Sequence, residues 1–171
     1  MSISDIHKFK SLSLTGKNTF DATGFTLLAK ASQRGRQNVL SFMMRHGADL
    51  NARCQSGWTA LMVAVSQNQS GSVDSLIQHG AHISLLTDSC LNAIMIAAAN
   101  GHANILRKLL GKDPSLIDLD IKNQSGWTAL RYAVRWSHSD CVSVLLSSGA
   151  SLDSDLDIIA KQWGCAEIIT L

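Results

Sequence analysis

The chain has 171 residues, a length that suits one ordinary domain or one short array of repeats. Apolar residues make up 46% of it and proline occurs once, which is typical of a folded protein and argues against proline-rich, disordered segments. The net charge is +2 but uneven: residues 1–53 hold eight Lys or Arg against three Asp, whereas residues 54–100 hold no Lys or Arg. Because the middle of the chain has no such cation to neutralise phosphates, we expect no nucleic-acid partner.

The N-terminal sequence and the cysteines bear on location. No apolar run approaches the roughly 20 residues of a membrane-spanning helix, and no basic stretch with an apolar core marks a secretory signal. We expect no membrane insertion and an intracellular protein, in the cytoplasm or nucleus, or in a host cytosol if it is a bacterial effector. The four cysteines lie at least 24 residues apart without metal-knuckle spacing, so we expect reduced packing residues, no metal and no cofactor; they are Cys54, Cys90, Cys141 and Cys165.

An alanine recurs within similar segments, at intervals of 33, 33, 36 and 27 residues. The segments open with GFTLLAKA, GWTALMVA, CLNAIMIA, GWTALRYA and SDLDIIA, and the alanines are Ala31, Ala64, Ala97, Ala133 and Ala160. Such a unit, continued by RHGADLNA or NGHANILRKLL, resembles the ankyrin repeat, whose signature is G-x-T-P-L-H-x-A. The resemblance covers residues 20–171 and implies an all-α solenoid of helix-turn-helix units with short β-hairpin-like finger loops.

In chain order, residues 1–19 are expected to cap the first repeat, and residues 153–171 to form a degenerate C-terminal capping repeat. The four repeats between them span residues 20–53, 54–86, 87–122 and 123–152. Each first helix should begin at a polar N-cap residue; the candidates are Thr26, Thr59, Asn92, Thr128 and Asp155. The second helices carry a wide apolar stripe that only stacked neighbours can bury; it comprises Val39, Leu40, Met43, Met44, Ile105, Leu106, Leu109, Leu110, Val142, Leu145 and Leu146.

The sequence offers no catalytic constellation. It has no GxSxG, HExxH, GxxxxGK[ST] or GxGxxG motif. His138 precedes Cys141 by three residues, but the repeat register turns Cys141 into the core, so a nucleophilic pair is not expected. Four of the six histidines suit helix ends: His102 and His138 should form local hydrogen bonds, and His46 and His79 should be exposed or capping residues. We therefore expect no enzymatic activity.

The family resemblance implies that a partner would contact the finger loops and the inner face of the first helices. The finger position before each N-cap holds Phe25, Trp58, Leu91 and Trp127, and all four are apolar. The positions two and three residues past each alanine are Gln33/Arg34, Ser66/Gln67, Ala99/Asn100, Arg135/Trp136 and Gln162/Trp163. From these positions we select ten candidate partner-binding residues: Phe25, Arg34, Trp58, Gln67, Leu91, Asn100, Trp127, Arg135, Trp136 and Trp163. Two alternatives stay open, since Trp58 and Trp127 could brace the neighbouring finger and Trp163 could seal the last repeat.

The resemblance thus implies non-enzymatic recognition of a protein or peptide through the concave face, by a chain that is monomeric on its own. Trp and Arg are the residue types most enriched at interface hot spots, which makes Trp136 beside Arg135 the best candidate contact. Two narrower functions remain open: an inhibitor or adaptor of one specific enzyme, or a bacterial effector that binds a host protein.

Overall fold

A computed structural model describes residues 24–111, 117–152, 156, 160 and 161. The chain divides into two compact units, Met1–His82 and Ile83–Leu171. The described part of the first contains α1 to α4, which are Leu27–Gln33, Gln37–Arg45, Ala60–Ser66 and Ser70–Gln78. The described part of the second contains α5 to α8, which are Ala93–Ala99, Ala103–Leu110, Ala129–Arg135 and Ser139–Ser147. None of the described helices is long and apolar enough to cross a membrane.

The first helix of each pair begins at a capping side chain. Its oxygen accepts a hydrogen bond from the backbone N–H three residues later, at 3.1 Å for Thr26, 3.4 Å for Thr59, 2.8 Å for Asn92 and 3.2 Å for Thr128. Each cap satisfies an N–H that the helix leaves unpaired, and contributes about 1 kcal/mol. The predicted caps are confirmed at these four residues, whereas Asp155 lies outside the described residues.

In the first unit, α1 packs against α3 and α2 packs against α4. The alanines Ala31 and Ala64 are 5% and 0% exposed, and their small side chains let the two first helices approach closely. Val39, Leu40, Val73 and Leu76 complete this core from the second helices; they are 6%, 0%, 0% and 0% exposed. Burying a valine or leucine side chain fully contributes about 1.5–3 kcal/mol, so these contacts hold the two repeats together.

The second unit repeats this arrangement, with α5 packed on α7 and α6 packed on α8. Ala97 and Ala133 are both 0% exposed. All four stripe residues of α6 are buried, and α8 contributes Cys141, Val142 and Leu145, each 0% exposed. Further along the chain, Leu156 and Ala160 are helical and buried, at 2% and 0% exposed.

The predicted apolar stripe is fully buried in α6 but not in α2 or α8. Met43, Met44 and Leu146 are only half-buried, whereas the apolar residues one turn earlier in the same helices are buried.

The finger loops form tight turns, and a backbone hydrogen bond joins the two ends of each. The bonds join the N–H of Cys54 to the carbonyl of Trp58 at 2.6 Å, that of Thr87 to Leu91 at 2.8 Å and that of Asn123 to Trp127 at 3.0 Å. The second finger also contains a short 3-10 helix, Gln55–Gly57. The predicted capping segment 1–19 lies outside the described residues.

Candidate functional site

The first unit has an open groove of about 270 Å³ between its fingers and the ends of its first helices. The finger side chains Phe25 and Trp58 line it, and both are half-buried. Gln33, Ser66 and Gln67 line it from the ends of α1 and α3, and the remaining lining residues are Gln55, Ser56 and Val63. No charged residue is among these eight, so the groove offers aromatic surface bordered by amides and hydroxyls.

The groove brings together three of the ten candidate residues: Phe25, Trp58 and Gln67. Arg34 does not line it. Arg34 caps the C-terminal end of α1 with its backbone N–H and is exposed, while its neighbour Gln33 lines the groove instead.

In each unit a glutamine links one finger to the preceding finger. The backbone N–H of Gln55 donates to the carbonyl oxygen of Gly24 at 3.0 Å, and that of Gln124 donates to Ser89 at 3.3 Å. The Nε2 of Gln124 also donates to the carbonyl oxygen of Asp88 at 2.7 Å. Finger-to-finger bonding is therefore supplied by the glutamine of each QSGWTAL segment.

In the second unit, Trp127 packs within its own repeat. Its ring centroid lies 5.1 Å from that of Tyr132, at an interplanar angle of 57°. The guanidinium carbon of Arg131 lies 5.5 Å from the Trp127 ring centroid. Asn123 fixes both aromatic residues, because its Oδ1 accepts from the Trp127 N–H at 2.9 Å and its Nδ2 donates to the Tyr132 hydroxyl at 2.8 Å.

One helical turn further on, Arg135 and Trp136 form an exposed pair. The Arg135 guanidinium carbon lies 5.2 Å from the Trp136 ring centroid, a cation–π geometry. Trp136 is 56% exposed, more than any other large apolar side chain among the described residues. It caps the C-terminal end of α7 through its backbone N–H, which leaves its side chain without a role in the cap.

The remaining candidates have separate positions. Leu91 is half-buried in the third finger, where its N–H donates to the Thr87 hydroxyl at 3.0 Å. Asn100 is exposed at the end of α5, and its Nδ2 donates to the Ile96 carbonyl at 2.8 Å. Trp163 lies outside the described residues.

The sequence reasoning missed the residue five positions after each finger tryptophan. Val63 lines the same groove as Trp58, and Tyr132 contacts Trp127. Both directly precede the recurring alanine of their repeat, so their shared position in the repeat could have identified them from the sequence. Arg131 was missed as well. The residue at the same position of the second repeat is Met62, which is buried at 1% exposure and does not line the groove, so this position has no common role in the two repeats.

Three of the histidines and Cys141 make local contacts within the fold. The Nδ1 atoms of His46 and His79 donate to backbone carbonyls at the ends of α2 and α4, each at 2.8 Å. His138 Nε2 donates to the Ala99 carbonyl at 3.2 Å. Burial, reinforced by the Asp140 carboxylate and opposed by Arg107, raises the pKa of the Cys141 thiol to about 11, so the thiol is neutral at neutral pH. Among the described residues no three His, Cys, Asp or Glu side chains group as metal ligands would.

The comparisons with known proteins bear on the family of the repeats. A family model of ankyrin repeats, in three copies, matches residues 4–87 and 84–155. A search of the curated proteins finds no match. The all-α ankyrin fold predicted from the sequence is confirmed by the family match and by the eight described helices. Since the family model covers well over half of the residues, this chain belongs to the ankyrin-repeat family.

Proposed function

We propose that this chain is a non-enzymatic binding module, which recognises a protein or peptide through its finger loops and the ends of its first helices. Ankyrin repeats are generally protein–protein interaction modules, and the family is typically non-enzymatic. The proposal assigns contact roles to residues of both units: Phe25, Trp58 and Gln67 in the first, and Arg135 and Trp136 in the second.

The exposure of Trp136 carries the proposal. Trp136 is 56% exposed as a residue, and covering its apolar surface with a partner would stabilise the complex by about 25 cal/mol per Å² of apolar area removed from water. The neighbouring Arg135 adds hydrogen-bond donors at the edge of the same surface. Aromatic and arginine side chains of this kind dominate binding energy at protein interfaces.

Leu152 supplies a matched control. It is 54% exposed, nearly as much as Trp136, and it belongs to the second unit but not to the proposed surface. The chain would be immobilised and used to select binders from a displayed library of random peptides. The dissociation constants of the selected peptides would then be measured for the unmodified chain and for the Trp136→Ala and Leu152→Ala variants.

We expect Trp136→Ala to weaken binding by about 30-fold, which corresponds to a hot spot of about 2 kcal/mol. Leu152→Ala should leave the affinity nearly unchanged. Circular dichroism of both variants checks that the helices persist. Equal affinities of a folded Trp136→Ala variant and the unmodified chain, or a selection without any binder, would contradict the proposed function.

A further inference from the structure

The groove of the first unit receives one aromatic side chain from each of two consecutive fingers. Phe25 and Trp58 hold the same position in their repeats, directly before the N-cap residues of α1 and α3. These two helices pack against each other. Since packed helices lie about 8–10 Å apart, the two aromatic residues at their starts are separated by about the same distance.

The groove also offers hydrogen-bond donors that a ligand can reach. The side-chain amides of Gln33 and Gln67 and the indole N–H of Trp58 have no hydrogen-bond partner among the described residues. None of the three is among the buried side-chain atoms of the described residues that lack a partner, so all are open to solvent. A ligand with carbonyl oxygens can therefore accept hydrogen bonds here without displacing a bond of the fold.

The backbone of the second finger is already engaged. The N–H groups of Cys54, Gln55, Gly57 and Trp58 all donate to backbone carbonyl oxygens of the first two fingers. A peptide that adds a strand to a sheet edge depends on unpaired backbone groups at that edge. The groove therefore suits a ligand that is recognised by side chains rather than by strand addition.

The eight residues that line the groove include none that is charged. A charged ligand side chain would lose hydration there without meeting an opposite charge, which costs free energy. The lining therefore favours a neutral ligand that combines apolar surface with hydrogen-bond acceptors.

We propose, as a refinement that rests on the function proposed above, that this groove binds a neutral proline-containing segment in the polyproline II conformation. That helix has about three residues per turn and rises about 3.1 Å per residue, so residues i and i+3 share one face about 9 Å apart. This spacing matches that of Phe25 and Trp58. Alternate residues of a strand lie only about 6.6–6.8 Å apart, and residues i and i+4 of an α-helix about 6 Å.

The chemistry of proline matches the donors of the groove. A polyproline II segment makes no internal hydrogen bonds, so its carbonyl oxygens need donors, and proline has no N–H that needs an acceptor. Gln33, Gln67 and the Trp58 indole supply donors, while the two aromatic rings supply flat apolar surface for two prolines. Because the segment is already extended before it binds, little conformational entropy is lost on binding.

The test uses the full chain and a neutral synthetic peptide with proline at every third position. Its control peptide has the same composition with proline at alternate positions, so that no two prolines are three residues apart. Isothermal titration calorimetry should show about tenfold tighter binding of the first peptide. Its affinity should be the same at low and at high salt, because the contact contains no ion pair.

Substitutions in the chain locate the binding site. Trp58→Ala should weaken binding of the first peptide by about 30-fold, as expected of a hot spot. Trp58→Phe keeps an aromatic ring but removes the indole N–H, and Gln67→Ala removes an amide donor, so each should cost about fivefold. Trp136→Ala, an aromatic substitution in the other unit, should leave this affinity unchanged. Because Gln67 is exposed, its variant should fold even if Trp58→Ala does not.

The outcomes separate this proposal from the function on which it rests. Equal affinities of the two peptides, or an affinity that falls steeply with salt, would overturn the proline-segment proposal. So would dimerisation of the chain, measured by sedimentation, that Trp58→Ala abolishes, since a second copy would then occupy the groove. If neither peptide binds while library peptides bind and depend on Trp136, this proposal fails and the binding function stands. If no peptide of either kind binds, both fail.

Discussion

Replacing Cys90 by glycine should stabilise the protein. The same finger position is occupied by Gly24, Gly57, Cys90 and Gly126, with φ of 72°, 77°, 61° and 76°. These values lie in the left-handed region, which glycine adopts freely and other residues adopt at a cost. Of the four residues at this position, Cys90 is thus the one that is not glycine, although its backbone adopts the same left-handed conformation.

The expected magnitude follows from two opposing terms. A left-handed conformation costs an L-residue about 1–2 kcal/mol. Glycine avoids this strain but forfeits about 0.5–1 kcal/mol of the gain in stability, because an unfolded chain with glycine has more conformational freedom to lose on folding. Cys90→Gly should therefore raise the free energy of unfolding by about 0.5–1 kcal/mol. Cys90→Ala keeps the strained backbone and loses the half-buried thiol, so it should give no gain.

Gly126→Ala is the reverse experiment in the same unit. A Cβ built on Gly126 meets no atom within 4 Å, so the substitution introduces backbone strain without a clash. It should lower the free energy of unfolding by about 0.5–1 kcal/mol, the mirror of the Cys90→Gly gain. Urea denaturation of the three variants measures all of these changes. A Cys90→Gly variant no more stable than Cys90→Ala, or a neutral Gly126→Ala, would refute the reasoning.

Two further predictions concern a close contact of Gly101 and the buried thiol of Cys141. Gly101→Ala should cost about 2–3 kcal/mol in urea denaturation, because its Cβ would lie 2.7 Å from Nδ1 and 2.8 Å from Cε1 of the His138 ring. Gly126→Ala, at a similar φ of 76° with nothing within 4 Å, should cost only about 0.5–1 kcal/mol; equal losses for Gly101→Ala and Gly126→Ala would contradict the steric explanation. Stability should also fall as the pH rises from 9.0 to about 11, because the Cys141 thiol ionises at its ordinary pKa of 9.0 when unfolded but only at about 11 when folded. The full loss is about 3 kcal/mol, and Cys141→Ala should remove it from the alkaline slope of unfolding free energy; an unchanged slope would show that other groups cause the loss.

The starts of the first helices could be predicted from the sequence because the same N-cap position recurs in each of these repeats. Thr26, Thr59, Asn92 and Thr128 recur at one register position, and a side-chain cap there satisfies an N–H that every helix leaves unpaired. The anchor alanines could be read for a similar reason, since closely packed first helices admit only small side chains. These local demands are the same in every repeat, so sequence similarity transmits them.

The surroundings of the two finger tryptophans could not be read in this way. Trp58 and Trp127 stand in identical QSGWTAL segments, yet one borders an uncharged groove and the other packs against Tyr132 and Arg131. The difference arises from the residues after the shared segment, whose side chains fold back onto the finger. Such contacts depend on side-chain size and direction, which a repeat pattern does not specify.

The most direct test of the binding surface is the solvent exposure of Trp136 in a complex. The chain would be produced with fluorinated tryptophan, and the Trp136 resonance in its ¹⁹F NMR spectrum would be assigned with a Trp136→Phe variant. The account predicts that a bound peptide shifts this resonance and reduces its H₂O/D₂O isotope shift, because the partner covers the ring. A peptide that binds and leaves the resonance and its isotope shift unchanged would contradict the account.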